Sequence, residues 1–218
     1  MKKLVLLTGL ILIAASLFAQ NEYNAEFIEK KNRIGFKLGY HFSGQDYKID
    51  NSRQSTSSLS SFHITALTDI ALSERIYLQP GISLLQKGAI LDRALDMVEI
   101  SPLYLEVPLN ALLKVKIGKG KGKLFAGGGP YGALGIKGSY TINNKSSNNT
   151  TTYRINYGSD ETHDMEKLDF GMSVLAGYEL DGNLSLGVTY SRSLSNLSPR
   201  PSEMMKNKVL AFSIGITL

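Results

Sequence analysis

In segment after segment of this chain, apolar residues alternate with small ones. From Ile34 the sequence sets Ile34, Phe36, Leu38, Tyr40 and Phe42 against Gly35, Lys37, Gly39, His41 and Ser43. From Leu168 it sets Leu168, Phe170, Met172, Val174, Ala176, Tyr178 and Leu180 against Asp169, Gly171, Ser173, Leu175, Gly177 and Glu179. Strict period 2 specifies a β-strand with one apolar face. The other face decides what the apolar one meets. A water-facing strand surface favours Thr, Lys and Glu, and glycine is depleted there because it weakens strands. A repeated Gly/Ser/Thr face carrying a few charges fits the crowded inside of a narrow closed barrel, which turns the apolar face outward into a membrane.

Eight such segments are present: Arg33–Ser43, Leu59–Ala71, Arg75–Lys87, Leu103–Ile117, Lys123–Lys137, Lys167–Leu180, Leu184–Leu194 and Lys208–Leu218. The connections alternate in length. Short turns lie at Leu72–Glu74, Gly118–Gly122 and Asp181–Asn183; long polar loops lie at Gly44–Ser58, Gly88–Pro102, Gly138–Glu166 and Ser195–Asn207. Short turns at one end and long loops at the other are the habit of outer-membrane barrels. The expected fold is all-β, an eight-stranded antiparallel up-and-down transmembrane β-barrel over residues 33–218. Two irregularities are expected. Pro108 deletes a ladder donor, so a bulge or missing bond belongs there, and Gly127-Gly128-Gly129-Pro130 implies curvature or close backbone approach. The loop Gly88–Pro102 is unusually apolar (Ile90, Leu91, Leu95, Met97, Val98, Ile100). Either the strands continue and pair beyond the membrane, or a contact surface is exposed there.

The N-terminus reads Met1-Lys2-Lys3, an apolar run from Leu4 to Ala15, then Ser16-Leu17-Phe18-Ala19-Gln20. This is the pattern of a cleaved signal peptide over residues 1–19, followed by a polar periplasmic lead over 20–32. The formal charge is +5, and removing Lys2 and Lys3 leaves +3. The interleaved run Lys119, Lys121 and Lys123 has no aromatic platform beside it, so nucleic acid is not expected as a partner. The chain has no Cys, hence no disulfide framework and no thiolate chemistry.

The run Leu103-Tyr104-Leu105-Glu106-Val107-Pro108-Leu109, the basic turn after it and Phe125-Ala126-Gly127-Gly128-Gly129-Pro130-Tyr131 resemble the outer-membrane β-barrel family that includes the PorT-like proteins. Asp169-Phe170-Gly171, Gly177-Tyr178-Glu179, Tyr190 and Asn196-Leu197 fit the same pattern. The resemblance implies a small barrel in the cell outer membrane, with some members tied to secretion and gliding machinery.

Catalytic signals are weak. His41 and Ser43 have the His-x-Ser spacing of barrel lipases, but interior polar residues near a strand end explain them as well. His163 with Asp160, Glu161 and Asp164 lacks metal-ligand spacing on a rigid element. Gly118-x-Gly120-x-Gly122 has no helix after it to receive a phosphate. No enzyme, cofactor or metal is expected. The charges on the small-residue face have a clearer role. Lys37, His41, Asp69, Tyr104, Glu106, Lys114, Lys116, Asp169 and Glu179 are expected to form an interior polar network, because buried charge must be paired. Lys37 or Lys114 is the expected partner of Glu106. Eight strands also leave no aqueous channel. The leading function is a non-catalytic outer-membrane protein, structural or accessory and secretion-associated. Its partners would be outer-membrane lipid and, through the long loops, another envelope or secretion protein. Two alternatives stay open: a membrane-embedded lipid-modifying enzyme, and a soluble periplasmic carrier of lipocalin type with its apolar face inward.

Overall fold

The computed structural model describes residues 32–93, 95–118, 122–147, 149–180 and 183–218. The expected leader, the lead except Asn32, and Lys119 and Lys121 lie outside the described residues. Eleven strands follow in chain order: β1 (Arg33–Ile49), β2 (Ser52–Arg53), β3 (Thr56–Ala71), β4 (Ile76–Gln86), β5 (Ala89–Asp92), β6 (Asp96–Lys116), β7 (Lys123–Asn144), β8 (Thr150–Arg154), β9 (Leu168–Glu179), β10 (Leu184–Ser193) and β11 (Glu203–Thr217). Eight of them, β1, β3, β4, β6, β7, β9, β10 and β11, pair antiparallel with their sequence neighbours. The ring closes where Gly35 stands opposite Thr217 and Ile49 opposite Glu203. Closure removes every long sheet edge, which is the condition for a sheet to cross a bilayer.

The alternation resolves as expected into two faces. Phe62 is 69 % exposed and Val174 60 %, whereas His41, Asp69 and Asp169 are fully buried. A continuous apolar belt of this kind is foreign to soluble monomers. The same observation overturns the lipocalin-type alternative, since the apolar face looks outward. Tyr40 meets Phe42 and Phe62 edge-on, at ring separations of 5.3 and 5.2 Å, in the upper part of that belt.

The strands run well past the expected boundaries at the end opposite the short turns. β1 continues to Ile49 and turns at Asp50 and Asn51, with φ of 45° and 66°. Two consecutive positive φ values make the tight turn whose twist matches a hairpin, and Asp and Asn tolerate it. The loop Gly88–Pro102 is a hairpin in which Leu91 pairs with Val98 and Ala89 with Ile100. Ile90, Leu91, Met97, Val98 and Ile100 therefore belong to paired strands continuing beyond the belt, whereas Leu95 is exposed in the turn between them. The first part of the longest loop is also a hairpin, β7 with β8, Asn143 opposite Thr150.

Both expected irregularities are present, and an unexpected bulge accompanies them. Pairing between β4 and β6 is interrupted between Pro80–Leu109 and Ser83–Glu106, the stretch that contains Pro108. This bulge lies at Leu103/Tyr104, which pair with Lys137 and Gly135 and leave Ile136 extra on β7. One extra residue reverses which side chains face inward. Phe125, Tyr131 and Ala133 point in below it; Tyr140 and Ile142 pack inward above it. At Gly127 and Gly129 an added Cβ would lie 2.0 and 1.9 Å from carbonyl oxygens of β6. The glycine run thus serves close backbone approach.

Candidate functional site: the lumen and its cap

The lumen holds four cations, Arg33, Lys37, Lys87 and Lys114, and four carboxylates, Asp69, Glu106, Asp169 and Glu179, arranged at two levels. At the short-turn end, Lys114 Nζ contacts Asp69 and lies 2.9 Å from Glu179 Oε2. Arg33 Nη2 lies 2.7 Å from the other oxygen of Glu179. Gln79 donates to Asp69 Oδ1 at 2.7 Å and accepts from Lys37 at 3.2 Å. These groups come from β1, β3, β4, β6 and β9, so the cluster spans the ring. The Lys114 ammonium also lies 4.8 Å from the centre of the Tyr77 ring.

At the hairpin end, Lys87 is the hub. Its ammonium is 2.7 Å from Glu106 Oε2 and 3.0 Å from Asp169 Oδ2. It lies over the rings of Tyr131 at 4.2 Å and Tyr104 at 5.2 Å. Asp169 further accepts from Ser193 at 2.7 Å and Asn207 at 3.2 Å, and Gln45 donates to Asn207 at 3.0 Å. A buried charge is tolerated when paired and hydrogen-bonded on all sides. Both clusters pair their charges by taking groups from opposite walls; within the upper one Glu106 Oε2 has the Lys87 ammonium 2.7 Å away but no hydrogen-bond partner among the described residues.

Between the two levels is a cavity of about 80 Å³ of mixed lining, with His63, Thr65 and Asn110 among its polar residues and Leu67, Leu175 and Val209 among its apolar ones. It has room for a few waters. It does not open a path, because the hairpin-end cluster and a cap stand above it. The cap is an apolar core of Tyr47, Leu91, Val98, Ile100, Ile155, Met165, Leu197 and Met205. Tyr157 packs against it, and burial pushes its phenol up to about 12. Along β1 the inner face therefore changes from His41, Ser43 and Gln45 to Tyr47, while the outer face changes from Phe42 to Asp46 and Lys48. Belt and lumen chemistry exchange places without any register change in that strand.

Of the nine expected network residues, eight are inside. Lys114, Asp69 and Glu179 are joined, with Lys37 bound to them through Gln79. Glu106 and Asp169 are joined through Lys87. Tyr104 donates to the Met165 sulfur at 3.3 Å. Lys116 is a correction: it shares the inward parity but is exposed at the lower mouth, beside Arg33, Arg75 and Lys123. A second correction concerns Glu106, whose partner is Lys87, neither Lys37 nor Lys114. Lys87 and Arg33 were missed although parity places them on the faces of Gln79 and Lys37. Each sits at a strand end, where alternation gives no warning that the chain remains buried. At Gly88, with φ of 134°, an added Cβ would lie 1.9 Å from Ile100 O. That glycine lets the backbone turn immediately after Lys87 while the lysine stays inside.

His41 and Ser43 share the inner face and are both fully buried. His41 places Nδ1 3.4 Å from His63 Nδ1 and Nε2 2.5 Å from the Gln86 carbonyl. A carbonyl only accepts, so Nε2 carries the proton. Ser43 donates to Leu59 O at 3.1 Å. Neither side chain faces the lipid side, where an acyl chain would have to arrive.

A family model described as "Outer membrane protein beta-barrel domain" matches residues 18–198. Comparison with curated proteins gave no match. Among solved structures the chain is similar to Ail, the attachment invasion locus protein of Yersinia pestis, with 10 % identity and a TM-score of 0.45, covering 86 % of this chain and 99 % of that one. It is also similar to Neisserial surface protein A, with 7 % identity and a TM-score of 0.45, covering 85 % and 96 %. Outer membrane protein AlkL matches with 12 % identity and a TM-score of 0.39, covering 84 % and 90 %.

Proposed function

Since the chain belongs to the outer membrane protein beta-barrel domain family and is therefore a barrel of the outer membrane, we propose that it is a closed, non-catalytic barrel with an accessory role. Its extracellular hairpins would serve as a docking platform for another envelope protein, in keeping with the resemblance to secretion-associated PorT-like proteins. The observation that carries this reading is the continuation of the ring strands above the apolar belt, where their inner face becomes an apolar core. A barrel needed only as a membrane plug gains nothing from such an extension. An ordered cap does hold β8 and its neighbours at fixed positions, and rigid presentation lowers the cost of binding. The burial of His41 and Ser43 supports the non-catalytic reading, because a lipid-modifying centre would need them at the lipid side.

The test is site-specific photo-crosslinking in intact cells from Thr151 and Tyr153 on the β8 hairpin, with Val174 on the lipid face for comparison. Discrete protein adducts from Thr151 and Tyr153, and lipid adducts alone from Val174, are expected. Lipid adducts alone from all three would remove the docking reading.

A further inference from the structure

The outer face of the barrel carries an excess of positive charge over the three residue rows immediately above the belt. On β1, β10 and β11 the last lipid-facing row is Phe42, Leu210 and Tyr190. One step higher, Arg192 stands directly opposite Lys208. On the same side Lys48 stands directly opposite Arg53 on β2, and Lys206 opposite Asp46. Like charges facing each other across a ladder repel, and here two such pairs flank the row of Asp46 and Lys206. Among the described residues, Asp46 is the carboxylate that these cations contact. It lies 2.8 Å from Arg192 Nη2, 3.1 Å from Lys208 Nζ and 3.3 Å from Arg53 Nη2. Five cations set against Asp46 and the exposed Asp50 of the hairpin turn leave an excess of three among the described residues of this face.

The patch is built, not a scatter of solvated lysines. Gly44 has no side chain, and an added Cβ there would lie 3.0 Å from Lys208 Cε. The lysine stem therefore lies flat across Gly44, which brings its ammonium to Asp46 beside Arg192. Lysine and arginine stems commonly cover apolar surface while their heads stay at the interface. Here the heads converge at the height where the outward face stops being apolar.

We propose that this patch is a binding site for the phosphate group of an outer-leaflet lipid, whose acyl chains lie along Phe42, Leu210 and Tyr190. Phosphate supplies the missing negative charge and several acceptor oxygens, and a guanidinium matches it with two parallel hydrogen bonds. The height favours a lipid over a free ion, because a ligand held here by its head has its tail beside the belt. The inference rests on the outer-membrane reading above and adds a specific lipid contact to it.

The probe is lipid A in phosphatidylcholine nanodiscs, diphosphorylated in one set and dephosphorylated in the other. Retention is read by native mass spectrometry of the released barrel. The unmodified protein should keep the diphosphorylated lipid and lose the dephosphorylated one. The double variant Arg192→Gln/Lys208→Gln should retain about tenfold less, the scale of losing charge-assisted hydrogen bonds. Arg75→Gln/Lys116→Gln, which removes equal charge at the opposite end, should retain the lipid normally. Equal loss in the two double variants would overturn the site in favour of net charge. Displacement of the lipid by an equal concentration of inorganic phosphate would overturn the lipid in favour of a free ion. Heat-modifiable gel mobility keeps the two readings apart. Failure of the unmodified protein to insert would sink the outer-membrane barrel itself, whereas insertion without selection between the two lipids would sink only the phosphate site.

Discussion

Lys87 and Glu106 meet at 2.7 Å inside the lumen, and the same ammonium lies 3.0 Å from Asp169 on the far wall. One side chain at the junction of β4 and β5 thereby ties β6 to β9. Removing it leaves two buried carboxylates facing each other. Lys87→Met should cost roughly 3–5 kcal/mol. Adding Glu106→Gln to Lys87→Met should recover part of that loss. Glu106→Ala and Lys37→Ala should combine additively, because the two groups belong to different clusters. Urea unfolding of the refolded barrel, followed by gel mobility, gives all these values; coupling of Glu106 to Lys37 in place of Lys87 would refute the pairing.

The two faces of β9 should respond in opposite ways to similar insults. Val174 is at mid-strand on the lipid side and 60 % exposed. Val174→Arg should cost about 2–4 kcal/mol, as expected of a cation near the bilayer midplane. Its neighbour Ser173 points inward and donates to Asn110 at 2.8 Å, so Ser173→Ala should cost only about 0.5–1.5 kcal/mol. The same unfolding assay checks both, and a larger loss at Ser173 would mean that the faces are reversed.

Much of this was legible in the sequence because period 2 is a backbone property that no tertiary contact alters. The inward placement of Asp69, Glu106, Lys114, Asp169 and Glu179 follows from parity alone. The choice of partner does not, since parity says which wall a charge leaves and not how far it reaches. Glu106 could be assigned to Lys114 on its own strand, yet Lys114 is taken by Asp69 and Glu179. The cap was hidden for a different reason. Above Gly44 the polar and apolar faces exchange roles, so Asp46 and Lys48 read as loop although the chain remains a strand. The β7 bulge hid the last part of the register, because one extra residue at Ile136 reverses the parity on which every such reading depends.

The hairpins and short turns should label from opposite sides of the membrane. Ser147→Cys is at an exposed hairpin turn, and Glu74→Cys is at an exposed short turn. On intact cells a membrane-impermeant maleimide should modify Ser147→Cys alone, with Glu74→Cys reacting only after the envelope is opened. Modification of Glu74→Cys alone on intact cells would invert the topology and remove the extracellular placement of the cap.

The closed lumen itself is tested most directly by planar-bilayer conductance of the refolded barrel. Two levels of paired charges and an apolar cap stand across the path, and eight strands enclose only enough space for side chains. The expected record is a baseline current indistinguishable from the protein-free bilayer, retained when the β8 hairpin is shortened, because the Lys87 and Lys114 clusters lie below it. A steady open current from the unmodified protein would contradict the closed lumen and point to transport.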